Sequence, residues 1–199
     1  MAPLGKITRS DCTLHGLGYL ALSLALAVWA ARLVLRACGG EFIPPLDDSY
    51  IYFQYARAAA EGHAFQYEPG AEPTRAATSV LYPFILAPVA QLWGPQALAW
   101  GAFVFGTLLL ALTALLADRW AARRISRPAS WAAGLLTLAS GHVLWGWFSG
   151  MDIALFGFAT MASVAAIPWY QDARDPRQGL WRLGGLGLAL GTPTLARPA

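Results

Sequence analysis

Charge is scarce in this chain. Only 13% of residues are Asp, Glu, Lys or Arg, 57% are hydrophobic, and the mean hydropathy is +0.46. Soluble domains carry about 25% charged and about 45–50% apolar residues, so the scarcity excludes an ordinary soluble domain and indicates an integral membrane protein. The net charge of +3 is small and confined to short loops. That argues against a nucleic-acid partner and fits the loop charge that orients membrane proteins. Cysteine is equally sparse. Cys12 and Cys38 flank the first apolar run, and a helix between them would hold them about 39 Å apart, too far for a disulfide. The sequence also lacks a zinc-ligand cluster, a phosphate-binding glycine loop and a nucleophile elbow, so those chemistries have no footing here. No internal repeat or low-complexity tract is visible.

Apolar runs and aromatic residues are abundant instead. The nine Trp and seven Tyr suit aromatic belts at two membrane interfaces. The first apolar run, 14–37, has about 24 residues, enough to cross a hydrocarbon core of about 30 Å with some tilt. A cleaved signal peptide is the alternative, with Lys6 and Arg9 as its charged start. The run is longer than a signal core of about 7–15 residues, and Arg32 and Arg36 interrupt its far end. Further spans are expected at 96–117, 129–148, 153–170 and 183–197. The run 80–93 is short, contains Pro83 and Pro88 and ends at Gly94-Pro95, which suits an interfacial or re-entrant helix.

Loop charge orients these spans. Segment 118–128 carries Arg119, Arg123, Arg124 and Arg127 against one Asp, and segment 171–182 carries Arg174, Arg177 and Arg182 against two. Both are expected in the cytoplasm. An inside N-terminus and a non-crossing 80–93 satisfy both loops; a crossing 80–93 would put both outside. Asp47, Asp48 and the turn Ser149-Gly150-Met151-Asp152 then share the outer face. Arg32 and Arg36 near the outer end of the first span count against this mildly, although both can snorkel. The expected fold is all-α: a multi-pass transmembrane bundle of about five spans, with interfacial helices in an outer loop at 38–95. The whole of 1–199 reads as one transmembrane domain. Because the last run meets the chain end without a polar tail, it is expected to be the N-terminal part of a longer protein.

The sequence Asp47-Asp48-Ser49-Tyr50 stands just outside the first span. Two acids there are costly to desolvate, which favours chemistry over packing as their purpose. Gly39-Gly40 ends the span, Pro44-Pro45 keeps the chain extended, and Ile51, Phe53, Tyr55 and Ala58–Ala60 suggest an amphipathic helix stopping near Gly62. Asp47 or Asp48 then falls at the helix N-cap, where the dipole favours the ionised form. Capping alone is the structural alternative. Otherwise such a carboxylate accepts a proton from a hydroxyl nucleophile or holds a divalent cation. Arg57 precedes Glu61 by one helical turn and suits a surface ion pair better than a phosphate ligand. His63 reads as a loop residue, and His142 as a neutral, hydrogen-bonded group about 10 Å into a span. Tyr50, Tyr52, Tyr55, Trp145 and Trp147 read as belt residues, with sugar stacking as the alternative.

The ordered set DDSYIYFQYARAAAEGHAFQYEPG, TSVLYPFIL, WFSGMDIALFGF and LARP resembles the bacterial GT-C class of membrane glycosyltransferases, the superfamily of protein mannosyltransferases and the lipid A aminoarabinose transferase. The resemblance runs from about Ile43 to Arg197 and would cover only the N-terminal part of a typical member. It implies an acidic pair in the first outer loop, interfacial helices there, and inverting transfer of a sugar from a polyprenyl-phosphate donor. The acceptor would be an envelope glycan, lipid or protein, on the outer face of a bacterial cytoplasmic membrane. Carried over by residue, Asp47 matches the proposed base and Asp48 the acid that orients it. Asp152 stands where the family has an acid after a small-Gly pair, and Arg197 could face the donor phosphate with its planar fork. Arg57 and Tyr50 complete the candidate substrate-binding set. No cofactor is required by such donors; a divalent cation on Asp47, Asp48 and Asp152 stays open. Val80 replaces the Pro expected after Thr-Ser, and Ala199 stands where an acid commonly follows Arg-Pro. The rival readings are a non-catalytic lipid carrier, scaffold or inactive remnant, and a small transporter, which predicts acids deeper in the spans.

Overall fold

The computed structural model describes residues 9–74 and 78–171, with isolated helical positions at 185, 187 and 191. Every regular element among them is helical: α1 (Arg9–Ala37), α2 (Asp48–Ala60), α3 (Leu81–Trp93), a 3₁₀ turn (Pro95–Ala97), α4 (Leu98–Ala121), α5 (Arg127–Ala139), α6 (Gly141–Phe148) and α7 (Ile153–Gln171). Two stretches are long and apolar enough to cross a membrane, Thr13–Ala37 and Pro95–Ala121. A third is gained if α6 and α7, bent by 119° across the intervening turn, count as one broken span.

The expected count of about five is not reached among the described residues. The stretch 129–148 is two helices, α5 and α6, broken at Ser140, whose ψ of 111° is extended. Ser140 and Gly141 are both weak helix formers, and a Gly/Ser pair is a recurrent cause of such breaks. The break leaves few backbone groups stranded, because Ser140 N–H donates to Leu136 and Leu144 N–H donates to Ser140. The segment 183–197, including Arg197, lies outside the described residues.

α1 and α4 run antiparallel. A Cβ on Gly16 would lie 3.6 Å from Leu115 at one end, and Phe42 stacks on Trp100 at the other, with centroids 4.1 Å apart. α1 buries Tyr19, Ser23, Ala27 and Ala31, one residue every four, a single ridge of mostly small side chains. Inside a bilayer an apolar side chain gains nothing by leaving lipid for protein, so close packing has to supply the attraction. Gly106 of α4 carries this furthest: a Cβ there would stand 2.2 Å from the Trp147 carbonyl oxygen.

Because α1 ends where α4 begins, α2 and α3 both sit at that shared end. α2 packs on α3, and α3 on the start of α4. The Oγ of buried Ser79 accepts the Tyr82 N–H at 3.1 Å, supplying a cap at the start of α3. Gly94, with φ +83°, closes the helix.

Candidate functional site

The site is built at the N-terminus of α2. Buried Pro44 leads the chain in, and Ser49, itself fully buried, donates its hydroxyl to the Leu46 carbonyl. That side-chain bond tightens the first turn. Asp47 is the N-cap residue, its carboxylate accepting the Asp48 N–H at 3.0 Å. Both acids are exposed, and both lie where the helix dipole favours negative charge.

Beneath them lies the turn between α6 and α7. The Ser149 hydroxyl donates to the Gly146 carbonyl at 2.8 Å and accepts the Met151 N–H at 3.3 Å. Gly150, at φ +80°, takes a left-handed conformation, and a Cβ there would meet Ser49 and Phe53 at 3.3 Å and Pro44 at 3.6 Å. The Tyr82 hydroxyl of α3 donates to the Gly150 carbonyl at 3.0 Å. Burial pushes the Tyr82 phenol far up from its ordinary value, with the charge of Asp152 and then Tyr52 adding to the shift. Helix α2, helix α3 and the Gly150 turn therefore form one packed unit.

The expected site residues divide accordingly. The fold brings Asp47 and Asp48 onto the helix that rests on the Asp152 turn, but at different depths: the pair is exposed, while Asp152 is fully buried. Among the described residues no group of three His, Cys, Asp or Glu side chains is placed to hold a metal ion. Tyr50 is 48% exposed beside the acids, its ring in a T-shaped contact with Phe53. Arg57 pairs with Glu61 at 2.9 Å, both exposed, and nine residues of helix place it about 14 Å from Asp48. His63 and His142 are exposed.

Tyr52 and Tyr55 correct the belt reading. They are 3% and 4% exposed, and their hydroxyls reach the Thr78 and Thr74 hydroxyls respectively. These tyrosines tie the loop after α2 back to the helix. The cavity that Tyr55 borders, lined also by Phe65, Thr74 and Phe84 among others, has about 30 Å³ of space. That is room for about one water and too little for a sugar ring.

A second polar cluster sits at the opposite end of the bundle, and sequence reasoning missed it. Asp118 of α4 is 1% exposed. His15 Nδ1 stands 2.8 Å from its Oδ2, and Arg127 Nη1 is 3.7 Å from its Oδ1. Arg127 Nη2 also lies 2.8 Å from the same Nδ1. That nitrogen either carries a proton for Asp118 or offers a lone pair to Arg127, one at a time. The available signal was Asp118 itself, one acid among four arginines. Comparison of the chain with protein-family models, with curated proteins and with solved structures finds no match.

Proposed function

We propose that this chain belongs to a GT-C-type membrane glycosyltransferase that moves a sugar from a polyprenyl-phosphate donor to an acceptor hydroxyl. The reading rests on one observation above the rest: an exposed carboxylate pair at the start of α2, seated on a buried turn that carries a third acid. The resemblance of the DDSY, TSVLYPF and SGMD segments to that class supports it. In this reading the spans form a multi-pass bundle of about five in a bacterial cytoplasmic membrane, with the N-terminus inside and the acids outside.

Asp47 takes the proton of the acceptor hydroxyl. The oxygen then bonds to the anomeric carbon as the bond from that carbon to the phosphate oxygen breaks, with inversion, and polyprenyl phosphate departs. Asp48 orients the base, Tyr50 offers a face to the sugar, and Arg57 or Arg197 meets the phosphate. No metal is needed for this proton transfer.

The test is transfer of labelled sugar from a polyprenyl-phosphate donor to envelope acceptors by membranes containing the chain. Asp47→Asn should lower turnover by about 10²–10⁴-fold, the usual worth of a general base, at an unchanged level of folded protein. Full turnover in Asp47→Asn sinks the proposal. A non-catalytic membrane protein is the second reading, supported by the absence of a sugar-sized space beside α2 in the cavity that Tyr55 borders. It expects no transfer by the unaltered chain.

A further inference from the structure

One imidazole joins three helices around Asp118, and its proton count decides how many of them it holds. His15 of α1 stands 2.8 Å from the Asp118 carboxylate of α4 through Nδ1. Arg127, the first residue of α5, reaches the same ring, its Nη2 2.8 Å from Nδ1 and 3.2 Å from Nε2. The Tyr19 hydroxyl, one turn along α1, also faces Asp118, and Trp131 of α5 stands edge-on to the ring at 4.7 Å. Arg119, Arg123 and Arg124 are exposed nearby, where water and salt screen their charge.

A neutral imidazole has one N–H and one lone pair. With its proton on Nδ1 it donates to Asp118, and the Nε2 lone pair accepts from Arg127, so one ring serves both partners. One carboxylate then balances one guanidinium. An imidazolium has two N–H groups and no lone pair. Asp118 still accepts from Nδ1, but Arg127 faces only donors, and two cations share one carboxylate. The side chains of His15 and Asp118 are 11% and 1% exposed, so a surplus charge there is poorly solvated. Arg127 is a third exposed, and its own hold on Asp118 is long, Nη1 to Oδ1 at 3.7 Å. It is the member that can turn to water.

We infer that His15 is a proton-operated latch between α1 and α5. When Nε2 takes a proton from water, Arg127 loses its acceptor and donates to water instead, and the seam between the two helices opens at this end. α5 keeps its packing on α4, and His15 keeps Asp118. Imidazoles change charge between about pH 5 and 8, so the latch is set by the adjoining aqueous phase.

The test uses the full chain in phosphatidylcholine vesicles, with Cys12→Ser and Cys38→Ser, and spin labels on Leu17→Cys of α1 and Ala132→Cys of α5, both exposed positions. The distance between labels, read by pulsed electron resonance, should lengthen by about 1–2 Å and broaden from pH 8 to pH 5, the scale of a helix shift at a packed interface. His15→Gln should keep the pH 8 distance at both pH values, because its amide offers an N–H to Asp118 and a C=O to Arg127 and does not titrate. Arg127→Gln should show the long distance at both. A distance that ignores pH in the chain with His15 and Arg127 intact overturns the proposal. So does a pH response that survives either variant, which would assign the switch to another group. Should His15→Gln fail to fold, Trp131 decides: an imidazolium quenches an indole it touches, and the emission lost in Trp131→Phe reports the proton on His15. Distance and Trp131 emission must then change at the same pH, and separate midpoints reject the latch.

Discussion

Gly150 rests directly on Ser49. A β-carbon at Gly150 would lie 3.3 Å from that of Ser49 and equally close to the tip of Phe53, and the backbone there is left-handed at φ +80°. The α6–α7 turn thus supports the helix that presents Asp47 and Asp48, with glycine as the one residue that fits both its space and its backbone.

Gly150→Ala is expected to cost about 1–2 kcal/mol from the left-handed backbone alone, which for a chain of this size lowers Tm by about 2–8 °C. Amide exchange should rise at the start of α2 as well as in the turn. An unchanged exchange rate at Ser49–Phe53 would show that the two segments are not coupled.

Raised pH should expose Tyr82. Its phenol is held far above the ordinary 10.0 by burial, then by Asp152 and Tyr52. Below pH 10 both folded and unfolded chains keep it neutral, so its contribution is complete there. Above pH 10 the unfolded chain ionises first and stability falls, by up to about 1.4 kcal/mol per pH unit for one proton. Melting scans between pH 8 and 12 should show a shallower alkaline fall in Tyr82→Phe than in the unaltered protein. Parallel curves would deny Tyr82 that role.

Two glycines should behave in opposite ways. Gly106→Ala places a methyl 2.2 Å from the Trp147 carbonyl oxygen, a backbone atom that no rotamer change can move. It should destabilise by about 3 kcal/mol or more, the upper range for overpacking, and sharply reduce the folded yield. Gly18→Ala meets nothing and should stabilise by about 0.4–1 kcal/mol through the unfolded chain. Similar yields of the two variants would contradict the α4–α6 contact.

The Asp118 cluster should be asymmetric. Arg127→Gln leaves a carboxylate that is 1% exposed without its cation, a loss of about 3 kcal/mol, the lower end for a buried pair because Arg127 is partly solvated. Asp118→Asn leaves an arginine that can snorkel, and should cost less. The double variant should be more stable than Arg127→Gln alone in detergent unfolding titrations. Additive losses would remove the coupling.

Much of the helical layout is legible in the residues. α2 starts where Pro44-Pro45 gives way to Asp47-Asp48 and ends before Gly62, as capping rules require. α3 ends at Gly94, and α1 and α4 follow their unbroken apolar runs. Hydropathy was blind to Ser140, because 129–148 is uniformly apolar on either side of it and only the Ser-Gly pair hints at a break. It was equally blind to depth. Tyr52 and Tyr55 look like their exposed neighbour Tyr50 in sequence, yet a helix of 3.6 residues per turn rotates them onto Thr78 and Thr74. His15 and Arg127 reach Asp118 from two other helices, and no local pattern encodes that meeting.

The Ser140 break bears on how the chain enters a bilayer. α5 has 13 residues and α6 has 8, so neither reaches the length at which a segment partitions by itself. Their stability in lipid is borrowed from α4, against which both pack. Insertion of this part of the chain is then expected to depend on its neighbours: α5 on α4, and α6 on α4 or on α7, with which it makes one broken span.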